Sequence, residues 1–138
     1  MLLEYGINEA PVFTNGNKGK PLLQGHPDIH FSLGHCHEAV AVAVSEHPVG
    51  IDIETVGHYS PEVARHVMSD DEMRQIEASS QPEVTFTRLW TMKESLYKLT
   101  GDDHGGDIAH LLDQAVNYRF NTVIMTRYVY SACAHAQS

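Results

Sequence analysis

Two carboxylates stand two positions apart in Gly50-Ile51-Asp52-Ile53-Glu54, and a later run, Trp90-Thr91-Met92-Lys93-Glu94-Ser95-Leu96-Tyr97-Lys98, carries a carboxylate and an ammonium one helical turn apart. Residues two apart on a strand project to the same side with a rise of ~6.6 Å, so Asp52 and Glu54 can converge on one hard cation. Exposed strand faces also carry acidic residues, which leaves metal ligation and a solvated surface both open. The apolar run beside them weighs toward a cation, because like charges next to a core are costly unless something positive neutralises them. Glu94 and Lys98 are, by themselves, an ordinary helix pair worth about 0.2–0.5 kcal/mol. Lys93 falls beside Phe86, Trp90 and Tyr97 on the more apolar side, where a lysine either snorkels to water or has an anionic partner.

The elements that must position these groups follow from pattern. Ala10 to Pro27 is dense in turn formers, including Asn15-Gly16 and Lys18-Gly19-Lys20-Pro21, and reads as a loop or irregular hairpin. Ile29–Leu33 and Ala39–Val44 read as strands, the second apolar on both faces and so expected in a sheet interior. After His47-Pro48, a third strand over Val49–Glu54 puts Val49, Ile51 and Ile53 on one face and Gly50, Asp52 and Glu54 on the other. Ser60-Pro61 starts one short helix and Ser69-Asp70-Asp71-Glu72, with capping-box spacing, a second. From Val84 to Leu99, Phe86, Leu89, Trp90, Leu96 and Tyr97 recur at helical spacing, with Thr87, Thr91, Glu94 and Lys98 opposite and Gly101 as the stop. Asn117 to Ala134 returns to β-branched and aromatic residues, for one or two antiparallel strands. Strands and helices without regular alternation give an α+β class, and no linker or repeat divides residues 1–138.

Composition narrows the partners. The 138 residues are 42% hydrophobic, enough for one compact domain. A formal net charge of −9 with no basic stripe argues against nucleic acid or an anionic membrane. No apolar run reaches the roughly 18 residues that span a bilayer, and no signal peptide is evident, so a cytoplasmic location is expected. Cys36 and Cys133 are too few for a disulfide framework, consistent with a reducing compartment. A polyanionic ligand would require this acidic chain to bring placed Lys, Arg or His residues, or a metal ion.

Together the two motifs resemble the 4′-phosphopantetheinyl transferases of the surfactin-synthetase-activating type. That family carries a Gly-Ile-Asp-Ile-Glu strand followed some forty residues later by a Trp-x-x-Lys-Glu-Ser-x-x-Lys helix, and both stand here unaltered. Gly19-Lys20-Pro21 is similar to the family's Gly-Lys-Pro loop, Ile29 to His35 to its strand ending in Ser-His, and Tyr128 to His135 to its closing strand. The resemblance implies an antiparallel sheet packed with helices, with residues 1–48 forming part of an N-terminal half and 49–138 a complete C-terminal half. It implies transfer of the phosphopantetheine arm of coenzyme A to a serine of an apo acyl or peptidyl carrier protein, releasing adenosine 3′,5′-bisphosphate. By the same resemblance Asp52, Glu54 and Glu94 hold Mg²⁺, Lys98 and His35 meet coenzyme A phosphates, Lys20 serves the same ligand from the loop, and Lys93 has a supporting place there. Glu72 corresponds to the glutamate suggested as base in this family, although its capping-box position explains a glutamate equally well.

Where the family has Ser-His this chain has Gly34-His35, which removes one hydroxyl donor. Basic residues that hold the 3′-phosphate in the family's opening part have no counterpart, so a homo-oligomer supplying surface and a non-catalytic remnant that binds coenzyme A or carrier protein are both open. A zinc module from His35-Cys36-His37 and Cys133-Ala134-His135 is the other rival, disfavoured because strand alternation turns Cys36 away from the two histidines. Asp102 to Asp107 lacks the EF-hand spacing and reads as a solvated turn after the helix.

Overall fold

The computed structural model describes residues 13–15, 21–23, 25–101 and 107–137. Lys20 and most of the expected solvated turn, 102–106, lie outside the described residues.

Chain order gives strands β1 (Phe13–Asn15), β2 (Pro21–Leu23), β3 (His30–His35), β4 (Val40–Ser45) and β5 (Val49–Thr55), then helices α1 (Pro61–Val67), α2 (Asp70–Ala78) and α3 (Pro82–Thr100). A kinked 3₁₀ segment, Leu111–Asn117, leads into β6 (Tyr118–Ile124) and β7 (Tyr128–His135). The described strands form two antiparallel pairs, β1-β2 and β3-β4, and an antiparallel three-stranded sheet in the order β5-β7-β6. With α3 laid across β5 and β7, this is the α+β arrangement of antiparallel sheet and helices that the sequence implies.

Local chemistry explains the helix limits. Ser60 caps α1 by accepting the Val63 N–H at 3.3 Å, with Pro61 at the first helical position. At α2 the box closes in both directions, the Glu72 N–H donating to Ser69 Oγ at 3.2 Å and the Ser69 N–H to Glu72 Oε1 at 2.8 Å. Gly101 ends α3 at a left-handed φ of 69°, which a residue with a Cβ rarely adopts.

Two apolar clusters hold the layers together. Ala64, Met68, Met73, Ile76 and Leu89 join α1 and α2 to α3, flanked by Tyr59, Phe86 and Trp90, of which the last two stack with centroids 6.4 Å apart. Leu96, Leu99, Leu111 and Cys133 fill the other side of α3.

The structure corrects two details. The apolar run of β4 does not lie inside a sheet: among the described residues β4 pairs with β3 alone, and Val40 and Val42 are 75% and 41% exposed. Register explains this, since Ala41 and Ala43 stand opposite Gly34 and Ser32, which turn toward β5, leaving the valines on the outer face. The second correction concerns α3, whose polar side is not a solvent face. Thr87, Thr91 and Ser95 are buried, while Tyr97, assigned to the apolar stripe, is 39% exposed. Thr91 Oγ1 lies 2.8 Å from Ser131 Oγ, which lies 2.8 Å from Thr122 Oγ1, so hydroxyls satisfy one another where helix meets sheet.

Candidate active site

Strand β5 is buried from Val49 to Ile53, so the carboxylate of Asp52 sits beneath the surface rather than on a solvated face. Gly50, two residues earlier, makes this possible. A Cβ there would overlap the backbone of α3 at Ser95 and stand 2.8 Å from the Leu99 nitrogen. Without one, the helix lies directly on the strand, and Glu94 and Lys98 come down over Asp52 and Glu54.

The Lys98 ammonium donates to Asp52 Oδ1 at 3.1 Å and to the carbonyls of Leu33 and Ile51, each at 3.0 Å. It therefore joins β3 to β5 while pairing the strand carboxylate. Asp52 Oδ2 is buried with no hydrogen-bond partner. A buried carboxylate oxygen left in that state is costly unless a water, an ion or a ligand meets it.

Electrostatics point the same way. Burial pushes the Asp52 carboxyl above its ordinary range, against the opposing pull of the Lys98 charge. Glu54 is pushed up to about 7, first by burial and then by the charges of Asp52 and Glu94. Burial and the Asp52 charge raise Glu94 as well. Burial leads all three shifts and the Asp52 charge adds to those of Glu54 and Glu94, and carboxylate oxygens are the donor type that a hard divalent cation takes. Among the described residues no group of three or more His, Cys, Asp or Glu side chains stands where it could hold a metal ion.

The remaining expected residues are placed differently. His35 ends β3 with its side chain exposed; by strand alternation it projects to the ribbon face opposite Gly34, whose Cα side meets the Asp52 backbone. Glu72 and Lys93 are not brought to the carboxylate cluster but to each other. Lys93 Nζ lies 2.7 Å from Glu72 Oε1, with side chains 0% and 7% exposed. The anionic partner left open for Lys93 in the sequence is thus found in Glu72. The histidine and cysteine rival gains no support either: Cys133 is fully buried with its thiol pushed up to about 12 by burial, and the His135 ring packs on Tyr118 at a centroid distance of 5.0 Å. Gly50 and the Thr91–Ser131 contact seat α3 on the sheet and were not singled out in the sequence. The small residues at 50, 91, 95 and 131 were the available signal.

Comparison with known proteins shows the family. Residues 48–133 match the family model described as the 4′-phosphopantetheinyl transferase superfamily. The chain is 37% identical over 95 residues to the 4′-phosphopantetheinyl transferase psf-1 of Bacillus pumilus, covering 67% of this chain and 41% of that protein. It is 36% identical over 96 residues to the gsp enzyme of Aneurinibacillus migulanus, covering 68% and 40%. To the Sfp enzyme of Bacillus subtilis (strain 168) it is 35% identical over 101 residues, covering 71% and 45%. The match thus spans less than half the length of each of these relatives.

Proposed function

The chain belongs to the 4′-phosphopantetheinyl transferase superfamily, surfactin-activating type, and from that premise we propose that it transfers the phosphopantetheine arm of coenzyme A to a serine hydroxyl of an apo acyl or peptidyl carrier protein. The by-product is adenosine 3′,5′-bisphosphate. The observation that carries this reading is the unpartnered, buried Oδ2 of Asp52, a carboxylate whose charge also raises the pKa values of Glu54 and Glu94.

Asp52, Glu54 and Glu94 would hold the cation, and Mg²⁺ is the ion proposed because few protein carboxylates together with phosphate oxygens suit its octahedral shell. When bound, it supplies charge neutralisation at the pyrophosphate that is cleaved. The chain's own residues do the remaining work. Lys98 holds Asp52 in place through Oδ1 and keeps a positive charge beside the carboxylates. The helix and strand, locked at Gly50, fix Glu94 over Asp52 so that little reorganisation is needed when substrate arrives. His35 and Lys20 are proposed as further phosphate contacts, and residues 49–138 as the counterpart of the C-terminal half of longer relatives. Among the described residues no helix is long and apolar enough to cross a membrane.

Chromatographic detection of adenosine 3′,5′-bisphosphate tests the reading. The nucleotide should accumulate only when coenzyme A, Mg²⁺ and an apo carrier protein are all present. Release without carrier protein would indicate hydrolysis instead, and no release with any carrier would leave a coenzyme A or carrier-protein binder.

A further inference from the structure

We infer that Lys93 is a positioning residue for Glu94, and that Glu72 serves as its buried counter-charge rather than as the base of the transfer. This rests on the proposal that Glu94 is a cation ligand.

Lys93 Nζ donates to the carbonyls of Val67 and Ile108 at 2.9 Å and of Ala109 at 2.8 Å, in addition to its contact with Glu72 Oε1 at 2.7 Å. An ammonium has three protons, and four oxygens already share them. No donor remains for a phosphate, and the side chain has no exposed surface through which one could approach. Glu72 is engaged through one oxygen: Oε1 accepts from the Ser69 N–H as well as from Lys93. A general base must come within hydrogen-bond reach of the proton it removes. A carboxylate 7% exposed, pinned at its helix N-terminus and against a buried ammonium, is built for holding.

What it holds is the setting of α3. The four oxygens come from the end of α1, the first turn of α2 and the segment that enters the 3₁₀ turns. Lys93 thus clamps three neighbouring segments to one azimuth of the helix, one residue before Glu94. Successive helical residues point about 100° apart, so fixing the direction of Lys93 fixes that of Glu94 toward β5. Gly50 against Ser95 and Thr91 against Ser131 seat the sheet-facing side, and the Lys93 clamp prevents roll about those contacts. Taking an ammonium out of water is repaid only where geometry and hydrogen bonding are this complete.

The test titrates Mn²⁺ into wild type, Lys93→Met and Glu72→Gln, reading the free ion by electron paramagnetic resonance, with circular dichroism to confirm folding. Lys93→Met is expected to weaken Mn²⁺ binding by about tenfold or more, the range seen when groups behind metal ligands are lost. Glu72→Gln keeps an oxygen for Ser69 and Lys93 but removes the counter-charge of a buried ammonium, so it should lower the melting temperature and weaken Mn²⁺ binding in the same direction as Lys93→Met, with an unchanged pH profile of transfer. A folded Lys93→Met with wild-type Mn²⁺ affinity overturns the positioning role. A fall of about a hundredfold in kcat for Glu72→Gln, with a titrating limb lost from the pH profile and Mn²⁺ affinity intact, makes Glu72 the base and overturns the inference. If Lys93→Met does not fold, Glu72→Gln decides alone. Wild type that binds no Mn²⁺ removes the cation reading of the site, and this inference with it.

Discussion

Lys98 Nζ lies 3.1 Å from Asp52 Oδ1, while Oδ2 of the same carboxylate is buried and unpartnered. One oxygen is thereby fixed by the protein, and in the proposed site the other takes the cation. Asp52→Asn separates these roles, because its side-chain oxygen can still accept from Lys98 while its amide presents protons to the cation position. We expect Asp52→Asn and Glu94→Gln each to lower transfer by on the order of a hundredfold with far-UV circular dichroism unchanged. Either variant with wild-type activity would remove that residue from the metal set.

Lys98→Met takes the shared donor from Asp52, Leu33 and Ile51 at once. It should lower the melting temperature and weaken coenzyme A binding by isothermal titration. An unchanged coenzyme A affinity would confine Lys98 to joining β3 and β5.

Gly50→Ala should be more damaging than its size suggests. The added methyl meets backbone rather than a yielding side chain, so helix and strand must separate. Overpacking of this kind costs about 1–3 kcal/mol. Loss of Mg²⁺-dependent transfer should accompany the lower melting temperature, because separation carries Glu94 away from Asp52. A destabilised variant that transfers at the wild-type rate would show that the close seat is unnecessary for the site.

The carboxyl cluster gives stability a pH dependence of defined sign. Asp52, Glu54 and Glu94 all have folded-state pKa values above their ordinary ones, Glu54 reaching about 7 from 4.5. A raised value contributes stability that is present below the unfolded pKa and lost as pH rises through the folded one. With chelator, this contribution should therefore shrink between pH 4.5 and about 7 for Glu54, and be smaller in Asp52→Asn, which removes a common cause of the other two shifts. Added Mg²⁺ should raise the melting temperature more above that window than below it, since the cation binds the ionised form. A Mg²⁺ effect independent of pH would argue against carboxylate binding.

Much of this was legible beforehand because local chemistry decides it. The Ser69 box, the Gly101 stop and the alternation of Asp52 and Glu54 depend on neighbours in sequence, and each stands as read. What escaped depends on tertiary placement. Thr91 and Ser95 look like surface residues until Ser131 and Gly50 are set against them. The apolar run of β4 cannot reveal that its alanines alone face β5. Glu72 and Lys93 lie 21 positions apart, and no spacing rule distinguishes a base and a phosphate contact from two halves of one buried pair.

The most direct test of the central claim is the intact mass of an apo acyl or peptidyl carrier protein after incubation with this protein, coenzyme A and Mg²⁺, beside samples containing EDTA or the Glu94→Gln variant. The account predicts a gain of one phosphopantetheine that EDTA and the variant both suppress. An unchanged mass across several carrier proteins, with coenzyme A still bound, would contradict it.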